Sequence, residues 1–211
     1  MSTKIVNYYD HIPKNNSTLY NYDMENKLQI KIPFRMLLCG PSGSGKTSLL
    51  LNFLKMINIF DKIILLAKDL DEPLYKHLIT TYEKIEVKLK CKILLAIDSV
   101  KDLPTPEDCD ARENTLLICD DLICESKKDL AKLGSFWIRA RKRSVSMIFL
   151  SQAYYGIPKI IRENSSYVCI KKVSTPKDLK RMLKEYELGV TIDELQKMYA
   201  HALSGDKLLR V

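Results

Sequence analysis

Residues 40–47 read Gly40-Pro41-Ser42-Gly43-Ser44-Gly45-Lys46-Thr47, a complete G-x-x-x-x-G-K-[ST] phosphate-binding loop. The apolar run Phe34-Arg35-Met36-Leu37-Leu38-Cys39 precedes it, and Ser48-Leu49-Leu50-Leu51-Asn52-Phe53-Leu54-Lys55 follows. Strand, tight loop and helix is the context in which this motif works. Gly43 and Gly45 let the backbone curl so that successive N–H groups converge on one phosphate. The new helix adds its positive dipole end at the same place. Lys46 is positioned to reach the β- and γ-phosphates, and the Thr47 hydroxyl to hold Mg²⁺. The expected nucleotide-binding set is Gly40, Pro41, Ser42, Gly43, Ser44, Gly45, Lys46, Thr47 and the adjoining Ser48. The motif implies a nucleoside triphosphate and an α/β fold.

The rest of the chain repeats the alternation. Lys62–Ala67, Lys92–Ile97, Thr115–Cys119, Ser146–Leu150 and Tyr167–Ile170 read as strands. Helical spacing predicts helices at about 46–58, 72–84, 126–140, 176–186 and 191–203, with a turn and short helix at 156–164. In the first of these, Leu50, Phe53, Leu54 and Ile57 share one face. Residues 101–114, with Pro104 and Pro106, read as loop. Strands apolar on both faces and alternating with helices predict a mostly parallel sheet flanked by helices on each side. Residues 1–30, polar and rich in Asn and Tyr, are expected to form an N-terminal arm with one short strand at Leu28–Ile32. Residues 31–211 are expected to form the P-loop ATPase domain. Lys207–Val211 reads as a strand just beginning, so the C-terminus is expected to be short or truncated.

Two further strand ends carry chemistry. Leu116-Leu117-Ile118-Cys119-Asp120-Asp121 is a buried strand delivering acids where ligands gather in such sheets. Asp120 is the candidate Mg²⁺ residue and Asp121 the candidate base that orients the attacking water. Ile148-Phe149-Leu150-Ser151-Gln152 places a polar tip on the next strand, and Gln152 is the candidate γ-phosphate sensor.

Charge is unevenly spread. The chain of 211 residues has a formal charge of +8. Residues 1–125 hold 16 Lys+Arg against 18 Asp+Glu, a balance of −2, whereas residues 126–211 hold 18 against 8, a balance of +10. A basic second half suggests a polyanion beyond the nucleotide, with solvated charged faces as the alternative. Arg139-Ala140-Arg141-Lys142-Arg143 concentrates four cations in five residues. It could supply an arginine finger to a neighbouring subunit, contact DNA phosphates, or simply end a helix with favourable charge.

The six cysteines form no C-x-x-C pair. Cys39, Cys119 and Cys169 fall in strand-like runs and are expected to be buried thiols. No apolar run approaches the roughly 18 residues that span a bilayer, and the first residues lack a signal-peptide apolar region. Work in the cytosol or nucleus, or inside a particle, is expected.

The ordered set of Gly40–Thr47, Leu116–Asp121 and Arg139–Gln152, with Ile157–Asn164 and Val173–Asp178, resembles the FtsK/HerA superfamily of P-loop ATPases. Within it, the chain looks most like the genome-packaging ATPases of large double-stranded DNA viruses and their virophages. The resemblance covers most of residues 34–180. It implies a RecA-like P-loop NTPase fold of the additional-strand type and an ATP- and Mg²⁺-dependent motor. That motor would translocate double-stranded DNA through a homo-oligomeric ring. Capsid proteins are implied as partners, membranes are not, and the implied location is the host cytoplasm at the assembly site or the virion. By position, Lys46 and Thr47 take the loop roles, Asp120 the metal role, Asp121 the base role and Gln152 the sensor role. FtsK-like pumps usually carry Glu where this chain has Asp121, so the base is one methylene shorter. For the trans arginine finger, Arg143 is favoured as nearest in sequence to the Gln152 strand, with Arg139, Arg141 and Arg162 as alternatives.

Other readings separate on sequence. A GTPase should show an Asn-Lys-x-Asp reader, and Ala67-Lys68-Asp69 lacks the Asn and the spacing. A small-molecule kinase rarely combines Asp120-Asp121 with Ser151-Gln152. A replication helicase-type ATPase and a non-hydrolysing nucleotide-bound scaffold stay open at this level.

Overall fold

The apolar runs become strands that bury both faces. The computed structural model describes residues 28, 30–173, 175–186 and 189–204. Among them the elements run β1 (Arg35–Cys39), α1 (Lys46–Met56), β2 (Lys62–Ala67), α2 (Pro73–Leu89), β3 (Leu94–Ile97), β4 (Thr115–Asp120), α3 (Lys127–Arg139) and β5 (Val145–Ser151). They continue with α4 (Lys159–Glu163), β6 (Tyr167–Ile170), α5 (Pro176–Leu183) and α6 (Ile192–Ser204). The strands form one sheet in the order β3-β2-β4-β5-β1-β6, every neighbouring pair parallel.

Alternation along each strand sends successive side chains to opposite faces. Leu37, Leu117, Met147 and Phe149 go to one core, with Phe136 and Trp137 of α3, Ile161 of α4 and Met182 of α5. Met36, Leu38, Leu116, Ile118, Ile148 and Leu150 go to the other, with Leu50 and Phe53 of α1 and Tyr75 and Leu78 of α2. Helices thus cover both faces, as the apolar runs predict. Cys39, Cys119 and Cys169 stand in β1, β4 and β6 as free thiols, the first two buried as expected but Cys169 only half-buried, because β6 is an edge strand. Burial pushes the Cys39 thiol up to about 12, so it acts as a small hydrophobe.

Several boundaries differ from expectation for visible reasons. The strand expected at Leu28–Ile32 does not form among its described residues, which are turn or irregular. The Lys31 N–H donates to the Tyr167 hydroxyl at 3.1 Å rather than to a ladder partner, and Pro33 next to it has no N–H to give. Ile32 and Phe34 are buried nonetheless. The strand expected from Lys92 starts at Leu94, because Glu86 takes the N–H groups of Ile93 and Leu94 at 2.8 and 2.7 Å. The Lys92 ammonium also binds Glu86, and with those N–H groups it holds the carboxyl down at about 2. Helix α2 runs to Leu89, five residues beyond the expected end, and stops where Lys90 turns left-handed at φ 54°. The proline-bearing loop holds two 3-10 turns, Val100–Asp102 and Pro106–Asp108. Residues 1–27 and the expected terminal strand at 207–211 lie outside the described residues.

One feature of strand order sets up the chemistry. β5 stands between β1 and β4. The phosphate-loop strand and the acid-bearing strand are therefore separated by the strand that ends in Gln152, which is the additional-strand arrangement.

Candidate functional site

The tips of β1, β5 and β4 end level with one another. Cys39 pairs with Ser151 and Asp120 with Leu150, so Gly40, Gln152 and Asp121 leave the sheet side by side. Two backbone bonds tie the exits together: Gly40 N–H to the Ser151 carbonyl at 3.2 Å, and Asp121 N–H to the Leu150 carbonyl at 3.4 Å. Ligands in open α/β sheets bind beyond such carboxyl ends.

The loop's glycines have distinct reasons. A Cβ on Gly40 would meet the Lys171 Cβ at 2.7 Å and Ser44 Oγ at 2.8 Å, so no side chain fits between loop and β6 exit. Gly45, the N-cap of α1, sits at φ 80°, a left-handed conformation that costs other residues. No side chain caps α1 and its first turn contains no acid, leaving its N–H groups and dipole for an anion. The Lys46 ammonium donates to the carbonyls of Gly40 and Pro41 at 2.9 and 3.1 Å, which holds it across the loop mouth. Ser44 Oγ is buried with no hydrogen-bond partner among the described residues.

Beside the loop lies a cavity of about 510 Å³, within the range of small-molecule sites. Gly45–Ser48, Asp120, Asp121 and Gln152 line it together, so the three sequence motifs converge on one space. Ser42 and Gly43 line it too, while Gly40 and Pro41 line a neighbouring cavity that shares Gln152. Asp120 is part-buried and Asp121 exposed. Burial raises the Asp120 carboxyl above its usual range, and the charge of Asp121 adds to this. A hydrogen bond from Tyr75 and the charge of Lys46 act against the rise. Asp121 adopts φ 52°, a conformation rare outside glycine and most tolerated by Asn and Asp. Strain of this kind collects at functional positions and here turns the chain sharply at the strand end.

Thr47 and Asp120 offer hard oxygen donors on one cavity wall. Among the described residues no three His, Cys, Asp or Glu groups cluster to cage a metal. One hydroxyl and one carboxylate suit Mg²⁺, an ion held by few protein ligands together with water and substrate phosphates.

Two residues here escaped sequence reasoning. Tyr75 and Glu72, both at the start of α2, line the same wall. The Tyr75 hydroxyl donates to Asp120 Oδ2 at 2.6 Å. Burial first, then the charge of Asp120, raises the Glu72 carboxyl. A polar residue at a helix start gives no motif, so only tertiary contact finds these two.

The candidate arginines are scattered. Arg139 closes α3, and Arg141 and Arg143 lie in the 3-10 turn that leads into β5. That turn is at the entry of β5, a whole strand of 7 residues from Gln152, or roughly 20 Å at 3.3 Å per residue. Nearness in sequence to the Gln152 strand therefore does not bring Arg143 near Gln152 within one subunit. Arg139 pairs with Glu107 at 2.7 Å, both exposed. Arg162, with 12% of its side chain exposed, is bound to Glu185 and lies over the rings of Tyr154 and Tyr155.

With this geometry, comparison with known proteins is informative. The family model described as Poxvirus A32 protein matches residues 21–205. This chain belongs to that family. It is 29% identical over 163 residues to a DNA packaging protein, OPG160, of Variola virus, covering 74% of this chain and 58% of that one. With the OPG160 of Vaccinia virus (strain Copenhagen) it shares 29% over 171 residues, 77% of this chain and 61% of that one. The chain thus spans about three-fifths of the length of these curated relatives. Among solved structures it is similar to the genome packaging NTPase B204 from Sulfolobus turreted icosahedral virus 2 in complex with AMP. The TM-score is 0.54 at 16% identity, covering 78% of this chain and 87% of that one. The DNA-packaging ATPase B204 from Sulfolobus Turreted Icosahedral Virus gives a TM-score of 0.52 at 16% identity, over 74% and 83% of the two chains. The A32-family chain therefore shares the P-loop NTPase fold of these proteins.

Proposed function

We propose that this A32-family chain is the ATPase of a motor that drives double-stranded DNA into a viral capsid, working as a homo-oligomeric ring. The observation that carries the reading is the convergence of Lys46, Thr47, Asp120, Asp121 and Gln152 on one cavity, with β5 between the other two strands. Membership beside proteins named DNA packaging protein supplies the substrate class. B204 has been solved with AMP and with ATP-gammaS, which supports a nucleotide in the corresponding place.

The roles follow from the chemistry of each group. Loop N–H groups and the start of α1 bind the β-phosphate, and the Lys46 ammonium turns from the loop carbonyls to the β- and γ-oxygens. Thr47 and Asp120 would hold Mg²⁺, which would supply charge neutralisation for the phosphates. Asp121 orients a water for in-line attack on the γ-phosphorus and accepts its proton; the bond to the ADP oxygen breaks as the new P–O bond forms. Gln152, at the tip between loop and acids, contacts the γ-phosphate and senses its departure.

Asp121→Asn tests the base. It should bind a fluorescent ATP analogue with wild-type affinity but lose roughly 10²–10⁴ in turnover, the range of general-base contributions. Wild-type turnover in that variant would refute the assignment.

DNA contact is assigned to the basic second half, where Lys127, Lys128, Lys142, Lys172, Lys177, Lys180 and Lys184 are all exposed. Binding through phosphates releases counterions, so log affinity should fall by about 0.9 per neutralised phosphate for each tenfold rise in salt. Filter binding across a salt series checks this, with little change expected between duplex sequences. A flat salt series would contradict it.

A further inference from the structure

Tyr75 has more built around it than a core tyrosine needs. It sits one turn from Glu72 at the start of α2, where Pro73 at the first helical position and the packing of Leu78 fix the helix against the sheet. Its ring is 1% exposed. Its hydroxyl donates to Asp120 Oδ2 at 2.6 Å, short for a hydroxyl bond and typical of a charge-assisted one. Tyr75 lines the same cavity as Thr47. One rigid side chain therefore holds one oxygen of the acid that ends β4, in the cavity that Thr47 also lines.

We propose that Tyr75 is a positioning residue for the metal end of the site, holding the Asp120 carboxylate in one orientation so that Mg²⁺ meets a preformed ligand beside Thr47. The proposal rests on the reading of Asp120 and Thr47 as the metal-holding residues. The physical need is plain. Asp120 stands at a strand end followed by a left-handed turn, and an unrestrained carboxylate there has two oxygens and a free torsion. Engaging Oδ2 leaves Oδ1 as the available donor. Partners that orient metal-holding groups in this way are worth about 10–100-fold in metal affinity.

The test is Tyr75→Phe in the full chain, which keeps the buried ring and removes only the hydroxyl. Mn²⁺ binding in the presence of a non-hydrolysable ATP analogue, followed by electron paramagnetic resonance, should weaken by about 10–100-fold. Binding of a fluorescent ADP in EDTA should stay at the wild-type level, because the loop and Lys46 are untouched. A second readout is internal to each variant: the rise in melting temperature when Mg²⁺ is added to protein already saturated with the analogue. That increment should shrink in Tyr75→Phe even where the variant's own baseline has shifted. Wild-type Mn²⁺ affinity and a full Mg²⁺ increment in Tyr75→Phe, with Asp120→Asn weakened, would overturn the proposal and leave Tyr75 a core residue. If Asp120→Asn and Thr47→Ala also bind Mn²⁺ normally, the metal assignment itself fails, and the proposal falls with it.

Discussion

Lys46→Ala should stop ATP hydrolysis, with turnover down by roughly 10³-fold. The ammonium is the one cation that the loop holds at its mouth, by carbonyl bonds of 2.9 and 3.1 Å. Charge building on the transferred phosphoryl group is stabilised by fixed donors in a partly desolvated site, and losing one such donor costs about 10²–10³. Loss of a full cation lies at the upper end. Because the side chain is part-buried but not part of either core, the variant should fold normally. A coupled ATPase assay beside a melting curve separates the two effects. Substantial turnover in a folded Lys46→Ala protein would contradict the site.

The second large effect concerns assembly. Ring motors complete one subunit's site with an arginine from the next, worth roughly 10³–10⁵ in turnover. Arg143 remains the first candidate because it is half-exposed at the end of the sheet opposite the cavity, where strands begin, the kind of place from which a side chain serves a neighbour. Arg139 and Arg141 come next. Arg139 would first have to leave Glu107, at little cost since both ends are exposed. Arg162 comes last, since Glu185 and two tyrosine rings hold it within its own subunit. Arg143→Ala alone should be nearly inactive, as should Lys46→Ala. Mixed, they should recover activity that neither has, since each supplies the half-site that the other lacks. Turnover should also rise faster than linearly with protein concentration until rings form. A mixture that stays inactive while both variants assemble would remove Arg143 and pass the test to Arg139.

How far the chain could be read in advance depended on how local the cause was. Gly40–Thr47 is a local motif whose backbone needs are visible in residue type, and the left-handed Gly43 and Gly45 follow from it. The buried strands announced themselves because a strand covered on both faces is apolar throughout, as β4 and β5 are. Acids at the end of one such strand and Gln152 at the end of the next could be placed beside the loop by that logic alone. Residues whose reason is tertiary stayed hidden. Tyr75 looks like any amphipathic helix position until Asp120 is seen against its hydroxyl. Glu86 gives no sign in sequence that it will take the N–H groups of Ile93 and Leu94 and delay β3. Arg35, inside an apolar run, is a buried cation whose guanidinium donates to the carbonyls of Phe34, Trp137 and Val145, three bonds from different parts of the chain. For the arginine cluster, linear nearness misled: a strand is long, and its entry and exit lie at opposite ends of the sheet.

The most direct test of a DNA-driven motor is steady-state ATP hydrolysis by the purified chain with and without linear double-stranded DNA, at low salt and with Mg²⁺. The account predicts turnover that rises several-fold when duplex is added, is lost in Lys46→Ala, and falls back as salt strips the DNA away. Hydrolysis that proceeds equally fast with and without duplex, under conditions where the chain demonstrably binds it, would contradict the account.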